Sequence, residues 1–155
     1  MKKLLLFITI AITAISSGCG SDNNTNEPVV TPTNFMRSTV NGVDVNYDVI
    51  ATAKENYISE GVEHTDLVIT ASKSDDPSKS ITFSSAYLEP GTDSVFYFEL
   101  NHDELEYDTG NPHSFVITLA ESTANSVKGT FTGTLSNFDN TSSAVITNGN
   151  FDIKF

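Results

Sequence analysis

One-for-one alternation of apolar and polar residues recurs along the chain, and no stretch of helical length carries a 3.6-residue period. The clearest case is Ser126 to Leu135. Val127, Gly129, Phe131, Gly133 and Leu135 fall on one face, and Ser126, Lys128, Thr130, Thr132 and Thr134 on the other. Threonine suits strands and tolerates water, so this segment predicts a half-buried strand. Its two glycines leave space on the inner face or mark bends. Val43, Val45, Tyr47, Val49 and Ala51 alternate with Asp44, Asn46 and Asp48 in the same way. Before them stand Met36, Ser38 and Val40, then Asn41-Gly42, the signal of a tight hairpin.

Further strands follow from Leu67, Ile69 and Ala71, from Ile81 and Phe83, from Phe96, Phe98 and Leu100, and from Phe115, Ile117 and Leu119. The chain closes with Phe151, Ile153 and Phe155 set against Asn150, Asp152 and Lys154. Turn chemistry separates these runs at Asp75-Asp76-Pro77, Pro90-Gly91, Gly110-Asn111-Pro112 and 137–143. Asn148-Gly149 would turn a hairpin or form a bulge in one long last strand. The bulge is preferred, because 126–136 offers a partner of matching length across the 137–142 loop. About eight short strands at this spacing predict an all-β fold, an antiparallel sandwich or barrel.

The first residues obey a different pattern. Lys2 and Lys3 precede an apolar run from Leu4 to Ile15, then Ser16, Ser17, Gly18 and the sole cysteine, Cys19. A membrane-spanning helix needs roughly 20 apolar residues, so this run is too short to remain as a span and reads as an export signal. The small residues before Cys19 resemble a bacterial lipobox, with Ser16 where Leu is usual. Boxes of this relaxed kind resemble those of Bacteroidota lipoproteins. The resemblance implies a diacylglyceryl thioether on Cys19, cleavage after Gly18 and palmitate-type acyl chains holding the protein to a membrane. A lone cysteine in an exported protein has no disulfide partner, and lipidation accounts for it. Two or three chains contribute ~0.8 kcal/mol per buried CH₂, enough for stable anchoring.

Residues 1–18 are therefore expected to be the signal, 19–34 the lipidated cysteine and a linker, and 35–155 a single domain. Gly20 to Thr33 has no aromatic residue and two prolines, so it cannot offset its ordering entropy and is expected to be a disordered tether. As a coil it would reach roughly 20 Å. Ser21-Asp22-Asn23-Asn24 weakly resembles the polar export tag of surface lipoproteins of that phylum, and Gly20 after the cysteine agrees with outer-membrane sorting. The periplasmic and the external face both stay open.

Charge narrows the partners. The whole chain carries −12, and losing Lys2 and Lys3 with the signal leaves six basic against twenty acidic side chains, −14. Nucleic acid and anionic head groups are poor partners, because binding them rests on neutralising phosphate charge. Membrane contact is expected through the lipid alone, and a protein or a glycan is left as the soluble partner.

The opening Met36-Arg-Ser-Thr-Val-Asn-Gly, together with Gly129-Thr-Phe-Thr-Gly and the close from Val145 to Phe155, resembles small Bacteroidota lipoprotein domains of unknown function. The resemblance implies a lipoprotein whose closing segments pair within an all-β domain. It implies no activity.

Three features invite chemistry. Asp103, Glu104, Glu106 and Asp108, with Glu99 nearby, offer hard oxygens to calcium, but their spacing departs from an EF-hand loop and a solvated acidic loop between two strands explains them better. His64, His102 and His113 show no metal-ligand spacing, although the last two flank one loop. Serines and threonines abound, and none stands in a nucleophile elbow. No catalytic residue, cofactor or metal site is therefore assigned. The expected function is a non-catalytic, envelope-anchored β domain that binds or scaffolds. An enzyme or inhibitor acting on envelope polymers would need Tyr87, Tyr97 and Tyr107 in one cleft with acids. A calcium-stabilised adhesive module would need the acidic run to converge.

Overall fold

The computed structural model describes residues 34–155. The signal, Cys19 and the tether lie outside them. The described chain is all-β: β1 (Asn34–Val40), β2 (Val43–Tyr47), β3 (Val49–Ser59), β4 (Val62–Ser72), β5 (Ser80–Ala86), β6 (Val95–His102), β7 (Leu105–Asp108), β8 (Ser114–Ser122), β9 (Ser126–Asn137) and β10 (Ser143–Lys154). Asn34 already belongs to β1, because its side chain donates to Lys154 O (3.1 Å) and accepts from Lys154 N (2.7 Å).

The strands form one curled antiparallel sheet, a half-barrel in outline, in the order β2-β1-β10-β9-β7-β6-β5-β4-β3. A flat sheet of this order would hold β2 and β3 eight spacings apart, roughly 38 Å at ~4.8 Å each. Yet Asp48 alone separates them in the chain, and two residue steps span at most about 7 Å. The sheet must therefore curl until its two ends meet at Asp48. The Asp48 carboxylate holds that corner by accepting from Ser74 N (2.8 Å) and Ser74 Oγ (2.6 Å).

The corner corrects one expectation. Val43 to Ala51 read as a single strand with one inward face, but the phase breaks at Asp48. Val45 and Tyr47 are buried, but Val43 at the start of β2 and Val49 are exposed, and Ile50 packs on the core instead. A chain that leaves one wall for the opposite one must rotate its side chains, and this splits the segment into β2 and β3. β7, within the acidic run, is the other strand beyond the expected eight.

In β9 and β10 the period holds. Val127, Gly129, Phe131 and Leu135 face inward, and β10 is one long strand whose register shifts between Ile146 and Gly149. Asn148 takes φ 54° in that bulge. Asn41 and Gly42 both have positive φ, as a tight two-residue hairpin demands.

The core gathers five phenylalanines from both walls. Phe83 of β5 and Phe98 of β6 meet Phe131 of β9 and Phe151 of β10, with ring centroids 5.2 Å apart for Phe83–Phe151 and 5.4 Å for Phe98–Phe131. Phe115 of β8 packs 4.4 Å from Phe98. Two of these rings lie over glycines. Gly129 stands opposite Phe151 and Gly149 opposite Phe131 in the β9–β10 ladder. A Cβ on Gly129 would come 2.6 Å from Phe151 Cζ and also strike Thr118 O, and one on Gly149 would strike the Phe131 ring. Gly133, at φ 136°, is pressed on the backbone of Ser114 and Phe115.

Alanine normally suits a strand better than glycine. Here Gly129→Ala and Gly149→Ala are each expected to destabilise by about 1–3 kcal/mol through overpacking, read as a lowered urea midpoint. Gly129→Ala combined with Phe151→Leu should cost less than the sum of the two single changes. Strict additivity in that double-mutant cycle would refute the ring-over-glycine contact.

Candidate functional site

The acidic run is a hairpin, not the loop expected. Glu99 pairs with Asp108, Asn101 with Glu106, and His102 with Leu105, so β6 and β7 meet across a two-residue turn. Asp103 (φ 52°) and Glu104 (φ 65°) form the turn. The turn parts the calcium candidates. Asp103 sits at the tip, 3.8 Å from Lys79 Nζ. Asp108 sits at the base, where its Oδ1 accepts from Gly110 N (2.7 Å), Asn111 N (3.1 Å) and Asn111 Nδ2 (3.0 Å). Glu104 and Glu106 face solvent. Among the described residues, no group of three or more His, Cys, Asp or Glu side chains is placed to hold a metal ion.

The histidines are also apart. His64 stacks on Tyr57 across the β3–β4 pair, with centroids 5.3 Å apart. His102 is buried beside the turn, and His113 lies past the other end of the hairpin, its Nδ1 2.8 Å from Asn111 O. Nor do the three tyrosines share a cleft. Tyr107 is buried and lies 3.2 Å from Ser142 Oγ. Tyr87 receives a hydrogen bond from Lys54 Nζ (2.7 Å). Tyr97 donates to Glu99 Oε2 (2.6 Å).

The surface that stands out surrounds Phe96. Phe96 was expected inward with Phe98 and Leu100, yet it is 57% exposed. The cause is a bulge. Ser84 pairs with Tyr97 and Ser85 with Val95, which leaves Phe96 as the extra residue and reverses the phase of β6 before Phe98. Val95 takes the inward position instead.

Two hollows flank Phe96. One, of about 410 Å³, lies towards the β3–β4 ribbon and is lined by Tyr57, His64, Tyr87 and Leu88 with Glu63 and Asp66. Leu88 adopts φ 68° there, an uncommon conformation for a side chain of its size. The other, of about 330 Å³, is a slot between β6 and β8 lined by Val95, Tyr97, Phe98, Phe115, Val116 and Asp93 among others. Both fall in the lower range of ligand-site volumes. A third hollow of about 390 Å³ lies on the outer face of β2, β1 and β10. There Arg37, the sole arginine, donates from Nε to Asn150 Oδ1 (3.0 Å).

The slot has a topological origin. β10 occupies one edge of β9, so β7 and β8 share the other, end to end and in the same direction. β6 pairs with β7 only as far as Glu99–Asp108, and Thr109 adds a last contact from its N to Phe98 O (3.0 Å). Residues 109–113 then swing the chain away from β6 before β8 begins. At the far end Gly91 and Leu119 exchange both backbone hydrogen bonds at 2.9 Å and close the opening. No period in the sequence marks this slot. The signals that bear on it are Gly110-Asn111-Pro112, which halts β7, and Pro90-Gly91.

No protein-family model, no curated protein and no solved structure matches this chain.

His102 yields a pH prediction. Burial holds its imidazole below the ordinary value of 6.5, with Asp103 opposing. Its Nδ1 is buried without a hydrogen-bond partner. The unfolded chain therefore takes up this proton first, and stability falls as pH drops below about 6.5. His102→Gln is expected to flatten that slope in urea midpoints measured from neutral to mildly acidic pH. The later loss should persist in the variant. It arises as Asp48, Asp76 and Asp139, held below 3.8 by hydrogen bonds to Ser74, Ser78 and Thr141, become protonated.

Proposed function

We propose that this chain is a lipid-anchored protein of the bacterial envelope, held at the outer membrane through Cys19, whose β domain binds an extracytoplasmic partner without catalysing a reaction. The observation that carries the binding half is the exposure of Phe96 between two hollows. Leaving an aromatic side chain in water forgoes about 1.5–3 kcal/mol of burial. The bulge that turns Phe96 outward also breaks the ladder, so the exposure carries a structural cost as well. Leu88 at 49%, Val116 at 54% and Tyr57 at 46% exposure stand among the linings of the same two hollows. Clustered exposed apolar residues with a polar surround favour a contact surface.

The anchoring half rests on the order Lys2-Lys3, apolar run, small residues and lone cysteine. The acidity of the domain bears on the contact alone: an acidic surface is repelled by anionic head groups, so the lipid would be the membrane contact. An enzyme acting on envelope polymers is the weaker reading, because Tyr87, Tyr97 and Tyr107 point to three separate places. The calcium-stabilised module is weaker for the same kind of reason, as its candidate ligands are split between the tip and the base of one hairpin.

Cells expressing the wild-type chain and Cys19→Ser test the proposal together. The wild type should sediment with the outer membrane and incorporate labelled palmitate, and the variant should be soluble and unlabelled. An unlabelled wild type, or a variant still held in the membrane, would refute the anchor. Protease added to intact cells reports the face on which the domain stands. For the binding half, a photo-crosslinking residue placed at Phe96 should capture a partner in cells that one placed at exposed Val43 does not.

A further inference from the structure

We infer that the slot between β6 and β8 receives an extended, basic polypeptide segment as an added strand, running antiparallel to β6 along the line that β7 leaves. The inference rests on the binding reading above and names the chemistry of the partner.

Four observations carry it. First, both walls are strand edges without a neighbour. β8 pairs with β9 alone, apart from the Gly91–Leu119 bridge, and β6 has no partner on its outer side from Val95 to Tyr97. Such edges offer rows of backbone N–H and C=O groups. An extended peptide matches such a row at the strand repeat, which a sugar or an acyl chain does not.

Second, the edges are unguarded. Exposed edges are normally blunted by charge, proline or covering structure. The two strands that end the sheet carry such charges, Asp44 on β2 and Lys54 and Glu55 on β3. The slot edges, Val95–Phe98 and Ser114–Thr118, carry none.

Third, the floor suits alternate side chains. The Phe98 and Phe115 rings meet at 4.4 Å across the base, and exposed Phe96 and Val116 form the rim. A strand laid in the slot would present every second residue to that apolar floor.

Fourth, the local charge has one sign. Asp93 lines the slot, no Lys or Arg does, and Tyr97 on its wall holds Glu99, which stands opposite Asp108. His113 is the one basic side chain on the lining. A segment whose outward residues are Lys or Arg complements these carboxylates.

The test uses the full ¹⁵N-labelled chain in detergent micelles and a capped seven-residue peptide of alternating lysine and valine. Amide exchange followed by NMR should slow by about tenfold or more at positions within 95–97 and 114–118, because new backbone hydrogen bonds protect them. Methylating alternate peptide nitrogens, or replacing lysine by glutamate, should weaken binding about tenfold or more. Val116→Lys, at an exposed position, should do the same without lowering Tm, and Val43→Ser should change nothing.

Protection elsewhere, no protection at all, or equal affinity for the N-methylated peptide would overturn strand addition. Protection of 95–97 and 114–118 that rises with protein concentration in the absence of peptide would overturn it in favour of a second copy of this chain. If the peptide fails while the crosslinker at Phe96 still captures a partner in cells, the strand mode falls and the binding reading stands. If both fail, the binding reading falls with it.

Discussion

The contact on which the architecture depends is the seating of Phe131 and Phe151 over Gly149 and Gly129. The two pairs are reciprocal: each of the strands β9 and β10 supplies one ring and one glycine. Removing Cβ at the glycines lets the rings lie against the sheet, where they reach Phe83 and Phe98 on the opposite wall. A domain of this size without a disulfide has its apolar core as its principal support. Gly133 lacks a Cβ that would strike the Ser114–Phe115 backbone, which lets β8 lie close against β9 there.

The second constraint is covalent. β2 and β3 end the hydrogen-bonded order but are neighbours in sequence, so curling is imposed by connectivity as well as by packing. Asp48 stands at the crossing and is held by both donors of Ser74. Curling in turn explains the slot. The edge of β9 is longer than either partner on that side, so β7 and β8 must share it, and the chain between them cannot also follow β6.

Function follows from where these constraints leave backbone or apolar surface unpaired. The bulge that exposes Phe96 and the divergence of β6 from β8 lie at one place, where the wall that carries β6 parts from the wall that carries β9 and β8. Regular pairing covers most of the remaining strand length. The carboxylates of the β6–β7 hairpin, which looked in the sequence like a ligand set, are spread along it, and only Glu99 and Asp108 stand at the end nearer that opening.

Much of this was legible in the residues. Alternation marked eight of the ten strands, placed Val127, Phe131 and Leu135 inside, and favoured the bulge at Asn148-Gly149 over a turn. It missed β7 because Glu104, Glu106 and Asp108 mask Leu105 and Tyr107, and Leu105 is itself exposed. It ran β2 into β3 because a two-residue period continues unbroken across Asp48 in sequence, while the wall that defines "inside" changes there. It placed Phe96 inside because a bulge belongs to the pairing of two strands and leaves no mark in one. Sequence by itself determined the elements, the aromatic and glycine content of the core and the expectation of an anchor at Cys19, since all of these are local. Tertiary structure alone decided the slot, the exposure of Phe96 and the separation of the acidic residues. These depend on which edges meet, and edge pairing is set by contacts far apart in the chain.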